Sequence, residues 1–382
     1  MGGQRQGAQP WSKNGLVSHA QPPFASCFHP FGTYHQTMLN PFAFLNPSEL
    51  PTMFDKASIS SHSILLQAAG LFALADLPTV AARTAVTGTA SFLDIFLLAP
   101  GMHRQQAVDD INHGEFPTTG AMTTGYVFRV ENPATVSYLQ AIGRTGHLVT
   151  AHVHPNPSSD EQLSYLNRHL QSFFVAGVPA TLFYIVGPVL TGVVVALMGV
   201  IRDFWGLGVL GLFMLSRLIN VGIIKRRSSK GWKGIPEPGE EGDLLILLSQ
   251  DRWIRLQGSV DDLKTVTAGQ WLRDRTMVEG FAISFATLLV YAAVILAFNA
   301  STVGSLMIAC LLLCSSALLG LCNTFTSCLQ MFDCIVRMEG EPIKYERRLY
   351  MANEMIEKSG RSDWAIGMGL IVPKNPTGPV NV

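Results

Sequence analysis

The second half of the chain contains four long apolar runs, each bounded by polar residues. Each run supplies the roughly 20 helical residues that a bilayer core of about 30 Å requires. Backbone amides in lipid need hydrogen bonds within their own segment, so the runs predict α-helices rather than strands. The four runs are Ser172–Ile201, Phe204–Ile224, Met277–Phe298 and Ser301–Cys322.

The connections within each pair of runs are very short. Arg202 and Asp203 join the first two runs, and Asn299 and Ala300 join the last two. Short connections make consecutive helices antiparallel neighbours. The sequence therefore predicts a mainly α, polytopic helical membrane protein with two transmembrane hairpins.

A fifth apolar run, Ile64–Val86, contains Asp76, Pro78 and Arg83. A charge at the centre of a membrane helix costs about 2.5–3.5 kcal/mol on insertion scales. A fifth span therefore competes with a re-entrant or interfacial helix and with a soluble amphipathic pair. The short apolar run Phe92–Ala99 follows it.

Basic residues indicate the orientation of the spans. Lys225, Arg226 and Arg227 follow the second run, and Arg273 and Arg275 precede the third. Because basic residues beside spans favour the cytosol, the connection from 225 to 276 is predicted to be cytosolic, and so is the C-terminal tail. Both short turns then lie on the opposite side of the membrane.

The predicted organisation has seven segments. They are an irregular tail rich in Pro and aromatic residues (1–60), the fifth apolar segment (61–101), a mixed soluble segment (102–171), hairpin 1 (172–224), a cytosolic strand–strand–helix loop (225–276), hairpin 2 (277–322) and a cytosolic C-terminal tail (323–382).

Short strands and helices are predicted between the spans. The strands are Tyr126–Val130, Leu148–His154, Asp243–Leu248 and Trp253–Leu256, and the helices are Asp160–Ser172 and Asp261–Arg273. About fifty residues in the loop cannot bury a large core of their own. We therefore expect the small mixed α/β loop to dock on neighbouring segments.

Composition supports a membrane protein. Charged residues make up 14% of the 382 residues and hydrophobic residues 48%, whereas soluble proteins average about 25% charged. The 27 basic and 27 acidic residues cancel, so no net charge would attract nucleic acid. The expected partners are the lipid bilayer and a protein bound through loop 225–276 and the C-terminal tail.

Arg217 is the charged residue within the four long apolar runs, and three roles compete for it. It snorkels to the interface, pairs with Glu279 at the entrance of the third run, or lines a polar cavity. Asn220 lies on a neighbouring face of the same helix. Arg217, Glu279 and Asn220 are therefore the candidate binding residues.

The candidate metal ligands are His152 and His154. Residues two apart on a strand face the same side, so both imidazoles could reach one ion. A third ligand could come from His147, His113 or Glu131. A satisfied pair of surface histidines is the competing interpretation.

Other cofactor chemistry lacks its residues. All ten histidines lie at or before His169. This excludes paired-histidine haem ligation within the four long apolar runs. Paired aspartates of the DDxxD type, which hold magnesium on a prenyl diphosphate, are also missing. The sequence therefore predicts no cofactor.

The stretch from Ser216 to Arg273 contains the distinctive sequences GWKG, EPGEEGDLL, SQDRWIR and GQWLR. With its flanking helices it resembles an uncharacterised family of fungal integral membrane proteins. That family has no catalytic motif, so the resemblance implies location and topology rather than a reaction. Some similar fungal proteins accompany natural-product pathways, which associates this chain with secondary metabolism.

Two functions remain open. The favoured one is a non-catalytic anchor, accessory subunit or scaffold in a membrane. The alternative is a membrane-embedded enzyme or small-solute carrier with a polar pocket near Arg217 and Glu279. Four or five helices are few for a transporter built from paired repeats.

Overall fold

The structure is a computed structural model that describes residues 68–156, 175–231 and 233–372. The predicted tail 1–60 and the predicted helix Asp160–Ser172 lie outside the described residues. The described α-helices are α1 (Thr79–Thr87), α2 (Pro133–Ile142), α3 (Val178–Val200), α4 (Phe204–Arg227), α5 (Val260–Thr267), α6 (Met277–Leu296), α7 (Thr302–Phe325), α8 (Arg348–Ser359) and α9 (Asp363–Gly367).

The described strands are β1 (Thr118–Ala121), β2 (Val127–Arg129), β3 (His147–Pro155), β4 (Glu241–Leu248), β5 (Arg252–Ser259), β6 (Cys328–Met331), β7 (Cys334–Met338) and β8 (Ile343–Lys344). Short 3₁₀ helices occur at Ala68–Leu74, Phe92–Phe96, Met102–Asp110 and Ala297–Asn299. The protein is mainly helical with a mixed sheet.

Five helical segments in the described residues are long and apolar enough to cross a membrane: Ala68–Thr87, Val178–Val200, Phe204–Arg227, Met277–Asn299 and Thr302–Phe325. Four of them match the four predicted runs. The helix in the first predicted run begins later than expected, at Val178, with Pro179 in its first turn. Proline is tolerated there because the amide of a first-turn residue has no partner within the helix.

Each long helix packs mainly on a helix of the other predicted hairpin. Helix α3 packs chiefly on α7, and α4 packs chiefly on α6. The two short turns meet at one end of this bundle, where the Asp203 carboxylate accepts hydrogen bonds from the Ser301 amide (2.9 Å) and hydroxyl (2.6 Å). This end is called the turn end, and the opposite end, where α4 and α7 lead into strands, the sheet end.

The fifth apolar run extends along the bundle from one end to the other in two pieces. Gly70, in the first 3₁₀ helix, lies against Val294 and Ala297 near the turn end. Helix α1 reaches the sheet end, where Asn323 donates to the Thr79 carbonyl (2.9 Å). The helix breaks before Thr79 because Pro78 cannot donate a backbone hydrogen bond.

An eight-stranded mixed sheet lies at the sheet end. Its order is β2-β1-β4-β5-β3-β7-β6, and β8 pairs with the start of β3. Strands β3 and β5 are parallel, and the other pairs are antiparallel. The strands come from three stretches separated by the long apolar helices, so the predicted loop strands do dock on neighbouring segments.

The predicted helix Asp261–Arg273 is wrong in its second half. Helix α5 ends at Thr267, and Gly269 adopts a left-handed φ of 67°. That turn directs Trp271 and Leu272 into the core, where both are buried. Burial of two large apolar side chains outweighs continuation of the helix.

The sheet has two different faces because side chains alternate along each strand. The inner face, with Val149, Ile246 and Leu256, shares a core with α2, α5 and the end of α4. The outer face, with Leu148 and Trp253, is partly covered by α8 and α9. The predicted C-terminal tail therefore contributes strands and helices to this folded unit.

Candidate functional site

Residues 89–112 form a re-entrant segment that enters and leaves the bundle at the sheet end. At its start, Lys225 lies 4.3 Å above the Phe92 ring. At its finish, Arg275 donates to the Gln106 carbonyl (3.2 Å), and Gln140 on α2 donates to the Asn112 carbonyl (3.1 Å).

The tip of this segment fills the interior of the bundle. Leu98 and Met102 are fully buried and share a core with Phe213 and Val290 of the long helices. Leu97 packs against Gly187 on α3. A Cβ atom at position 187 would collide with the Leu97 side chain, so only glycine leaves room for it. Leu97, Leu98 and Ala99 therefore lie inside the helix bundle, whereas Phe92, Leu93 and Phe96 of the same run are exposed.

Arg217 holds the re-entrant segment from the side of α4. The side chain is 1% exposed. Its Nε donates to the Asp94 carbonyl (3.0 Å), and its Nη1 donates to the Gln105 side chain. Gln105 in turn donates to the Thr84 hydroxyl (3.3 Å). One arginine thus links α4, the re-entrant segment and α1.

Asp94 is buried beside this arginine and has its own partners. Tyr184 on α3 donates to its carboxylate (2.7 Å). The same carboxylate accepts from the Ser91 amide (2.7 Å) and closes a capping box on the 3₁₀ helix. Arg217 binds the backbone carbonyl of Asp94 rather than its carboxylate. The Asp94 carboxylate and the Arg217 guanidinium are therefore both buried in one part of the bundle.

The predicted pairing of Arg217 with Glu279 does not occur. Glu279 binds Arg273 through both carboxylate oxygens and caps α6 together with Thr276, which donates its amide to Glu279 (3.0 Å). Arg226 lies 3.6 Å from the same carboxylate. Glu279 is satisfied by arginines at the sheet end, and Arg217 does not snorkel because its bonds point inward.

Asn220 contacts the returning arm of the re-entrant segment. Its side-chain oxygen and its carbonyl accept from Gln106 at 3.3 and 3.1 Å. Gln106 also accepts from Arg227 (3.1 Å). The structure therefore brings Asn220 near the same segment as Arg217, one turn closer to the sheet.

The outer face of the sheet carries a second polar group. His152 and His154 on β3 face the same side, with their rings nearly parallel (11°) and their centroids 5.9 Å apart. The Glu339 carboxylate lies between them. It is 2.9 Å from the His154 Nε2 and 3.7 Å from the His152 Nε2.

The strand register explains this convergence. Arg337 on β7 pairs with His152, and the Glu339 amide donates to the Thr150 carbonyl (2.9 Å), which extends the ladder by one residue. Alternation then places Glu339 on the histidine face. The third residues predicted from the sequence, His147, His113 and Glu131, are not the partners of this pair.

Electrostatics favour an ionised carboxylate at this position. The hydrogen bond from His154 is the main cause that lowers the pKa of Glu339, and the charges of His152 and Arg337 lower it further. Arg337 itself donates to the Val175 carbonyl (3.1 Å).

A groove of about 460 Å³ begins at the two histidines and follows the outer face. Asp243 and Gln257 line it on the outer face, and Asp262 of α5, a helix that packs on the inner face, also contributes to its lining. Asp243 binds Arg255 and also accepts from Gln257 (3.1 Å). The outer face therefore offers a polar groove outside the membrane helices.

Sequence reasoning found part of both sites. Asp94 carries a signal, since it is a charge within a short apolar run. Gln105 and Gln106 carry none, because amides outside the apolar runs are common. Glu339 lies 185 residues from His154, and only the sheet brings them together.

A scan against protein-family models and searches of the curated proteins and of the solved structures find no match to this chain.

Proposed function

We propose that this protein is a multi-pass membrane anchor that presents the sheet unit to a protein partner in the cytosol. The observation that carries the proposal is the engagement of Arg217. Its guanidinium binds the re-entrant segment and is fully buried. The charge therefore has a structural role, which leaves less reason to assign it to a substrate.

The surface at the sheet end supports a partner there. Leu349 and Tyr350, in the first turn of α8, are 47% and 53% exposed, and Ile235 in the loop is 81% exposed. Leu349 and Tyr350 are adjacent exposed apolar side chains, and contiguous exposed apolar surface marks interaction sites. The proposed contact surface is formed by loop 225–276 and the C-terminal helices.

The basic residues at the sheet end support its cytosolic placement. Lys225, Arg226 and Arg227 end α4, and Arg273 and Arg275 precede α6. Positive residues beside spans favour the cytosolic side. The resemblance of residues 216–273 to fungal integral membrane proteins agrees with this topology and suggests a link to secondary metabolism.

Epitope insertions test the placement. An epitope after Gln250, in the β4–β5 turn, should be reached only when the cytosolic side is opened. One at Asn299, in the turn-end connection, should be reached from the other side. Accessibility of both from one side contradicts the topology.

Two sets of variants separate an anchor from a carrier or enzyme in a host that lacks the endogenous gene. The surface variant combines Leu349→Glu with Tyr350→Glu. It should be present at the normal protein level but should fail to rescue the deletion phenotype. Tyr184→Phe, which removes one intramembrane hydroxyl, should rescue that phenotype fully. A photo-crosslinker at Tyr350 should give one discrete adduct, and one at Phe298 should give none. Rescue by the surface variant combined with failure of a well-expressed Tyr184→Phe favours the membrane-embedded carrier or enzyme.

A further inference from the structure

The residues His152, His154 and Glu339 have the composition of a transition-metal site. Their potential ligand atoms all lie within 4.8 Å of one another. Two imidazoles and a carboxylate suit Zn²⁺ and its first-row neighbours, whereas Mg²⁺ and Ca²⁺ prefer oxygen alone. The same ligand types occur at catalytic zinc centres.

The spacing of the ligand atoms also fits one ion. Two ligands each about 2.0–2.1 Å from a tetrahedral metal are separated by about 3.3 Å. The Glu339 Oε1 lies 2.9 Å from the His154 Nε2 and the Oε2 lies 3.7 Å from the His152 Nε2, and all the ligand atoms lie within 4.8 Å of one another. Closure on one ion therefore requires side-chain rotation that brings the farther atoms together.

The backbone holds these ligands in place. His152 and His154 belong to a strand that is paired on both sides, with β5 and β7. Glu339 directly follows β7 and is fixed by the hydrogen bond that its backbone amide donates to the Thr150 carbonyl. Their side chains are 31%, 53% and 47% exposed, so an ion can reach them from water.

We propose that His152, His154 and Glu339 bind one Zn²⁺ ion on the outer face of the sheet. Three protein ligands leave one tetrahedral position open to water or to a donor atom in the adjoining groove. The bound ion replaces the hydrogen bond between His154 and Glu339. This inference is independent of the anchor function, because it concerns a surface that the membrane helices do not form.

Zinc titration of the full-length protein tests the proposal. The protein is purified in detergent through a tag that contains no histidine, and Zn²⁺ binding is measured by isothermal titration calorimetry. Co²⁺ serves as a second probe, since its visible spectrum reports tetrahedral coordination. His152→Ala and Glu339→Gln should each weaken the site at least about 10-fold, because each removes a ligand.

His147→Ala is the matched control. This histidine starts the same strand, and its Nδ1 contacts the Thr145 carbonyl at 2.8 Å rather than the cluster. It should bind Zn²⁺ as the unmodified protein does. Equal affinity in all four proteins, or loss of binding only when residues outside the cluster are changed, overturns the proposal. Elution volume in size-exclusion chromatography verifies that each variant is folded.

Discussion

Replacing Arg217 by methionine removes the guanidinium that fixes the re-entrant segment while it keeps much of the side-chain volume. The substitution leaves the Asp94 carbonyl and the Gln105 side chain without this donor inside the bundle. It also removes the positive charge that binds the backbone of Asp94, a residue that is 7% exposed. We expect Arg217→Met to fold less stably.

The size of the effect follows from two lost hydrogen bonds. Bonds to charged groups are worth about 1.5–3 kcal/mol each in soluble proteins, whereas side-chain bonds within membranes average about 0.6 kcal/mol. The acceptors here remain buried in protein, which favours the higher range, and we expect a loss of about 3 kcal/mol. At about 2–4 °C per kcal/mol, the melting temperature should fall by about 6–12 °C.

Thermal unfolding in detergent measures this loss, with Arg226→Met as the matched control. Arg226 lies on the same helix, but its side chain is 77% exposed and its ion pair with Glu279 spans 3.6 Å. Exposed pairs contribute about 0–1 kcal/mol, so the control should melt within about 2 °C of the unmodified protein. If Arg217→Met melts with the control, the arginine does not hold the segment.

A double-mutant cycle with Asp94→Asn then isolates the charge compensation. If the two buried charges stabilise each other, the double variant should be more stable than the sum of the single losses by at least about 1 kcal/mol. Strict additivity contradicts the compensation and leaves only the hydrogen bonds.

Three further outcomes follow from the structure, and thermal unfolding in detergent measures each. Gly101→Ala should lower the free energy of unfolding by more than about 2 kcal/mol, because φ is 80° and a Cβ would collide with the Leu77 carbonyl. Gly114→Ala, with φ of 72° and open space, should lower it by about 1 kcal/mol. Equal losses would refute the collision. Asp203→Ala should cost about 2 kcal/mol because its carboxylate joins the two turns, and an unchanged melting temperature would contradict that link. Burial alone would raise the pKa of Glu115, but hydrogen bonds, from Gln140 first, lower it below 4.5. The ionised Glu115 therefore stabilises the fold at a pH above its pKa in the unfolded chain, and that stability is lost as the pH falls through its pKa in the folded protein. Glu115→Gln should reduce the dependence of unfolding on acid. An identical pH profile for the variant and the unmodified protein would contradict this prediction.

The helix bundle could be predicted because its cause is local. A run of apolar residues without charges, such as Val178–Val200, must satisfy its own backbone when it leaves water. The spans needed no knowledge of their neighbours, and the structure confirms them as helices long enough to cross a membrane. Four of the eight described strands, β2 to β5, were also recognisable from short apolar and alternating runs, whereas β1, β6, β7 and β8 were not predicted.

Partnership between distant residues depended on tertiary structure. A pair between Glu279 and Arg217 was one of three roles open for that arginine, yet Arg273, six residues from Glu279, reaches it with both donors. Sequence shows which charges need partners but not which partner lies nearest after the helices pack. The same limit applied to Glu339, which joins the histidines only through the pairing of β3 with β7.

The sequence by itself determined the long apolar helices, their short turns and the positions of four of the eight described strands, since each follows from side-chain hydrophobicity over a few residues. Only the tertiary structure decided that residues 89–112 turn back inside the bundle and that three separate stretches share one sheet. The physical reason is that burial of Asp94 and Leu98 becomes favourable only when Arg217 and the long helices surround them.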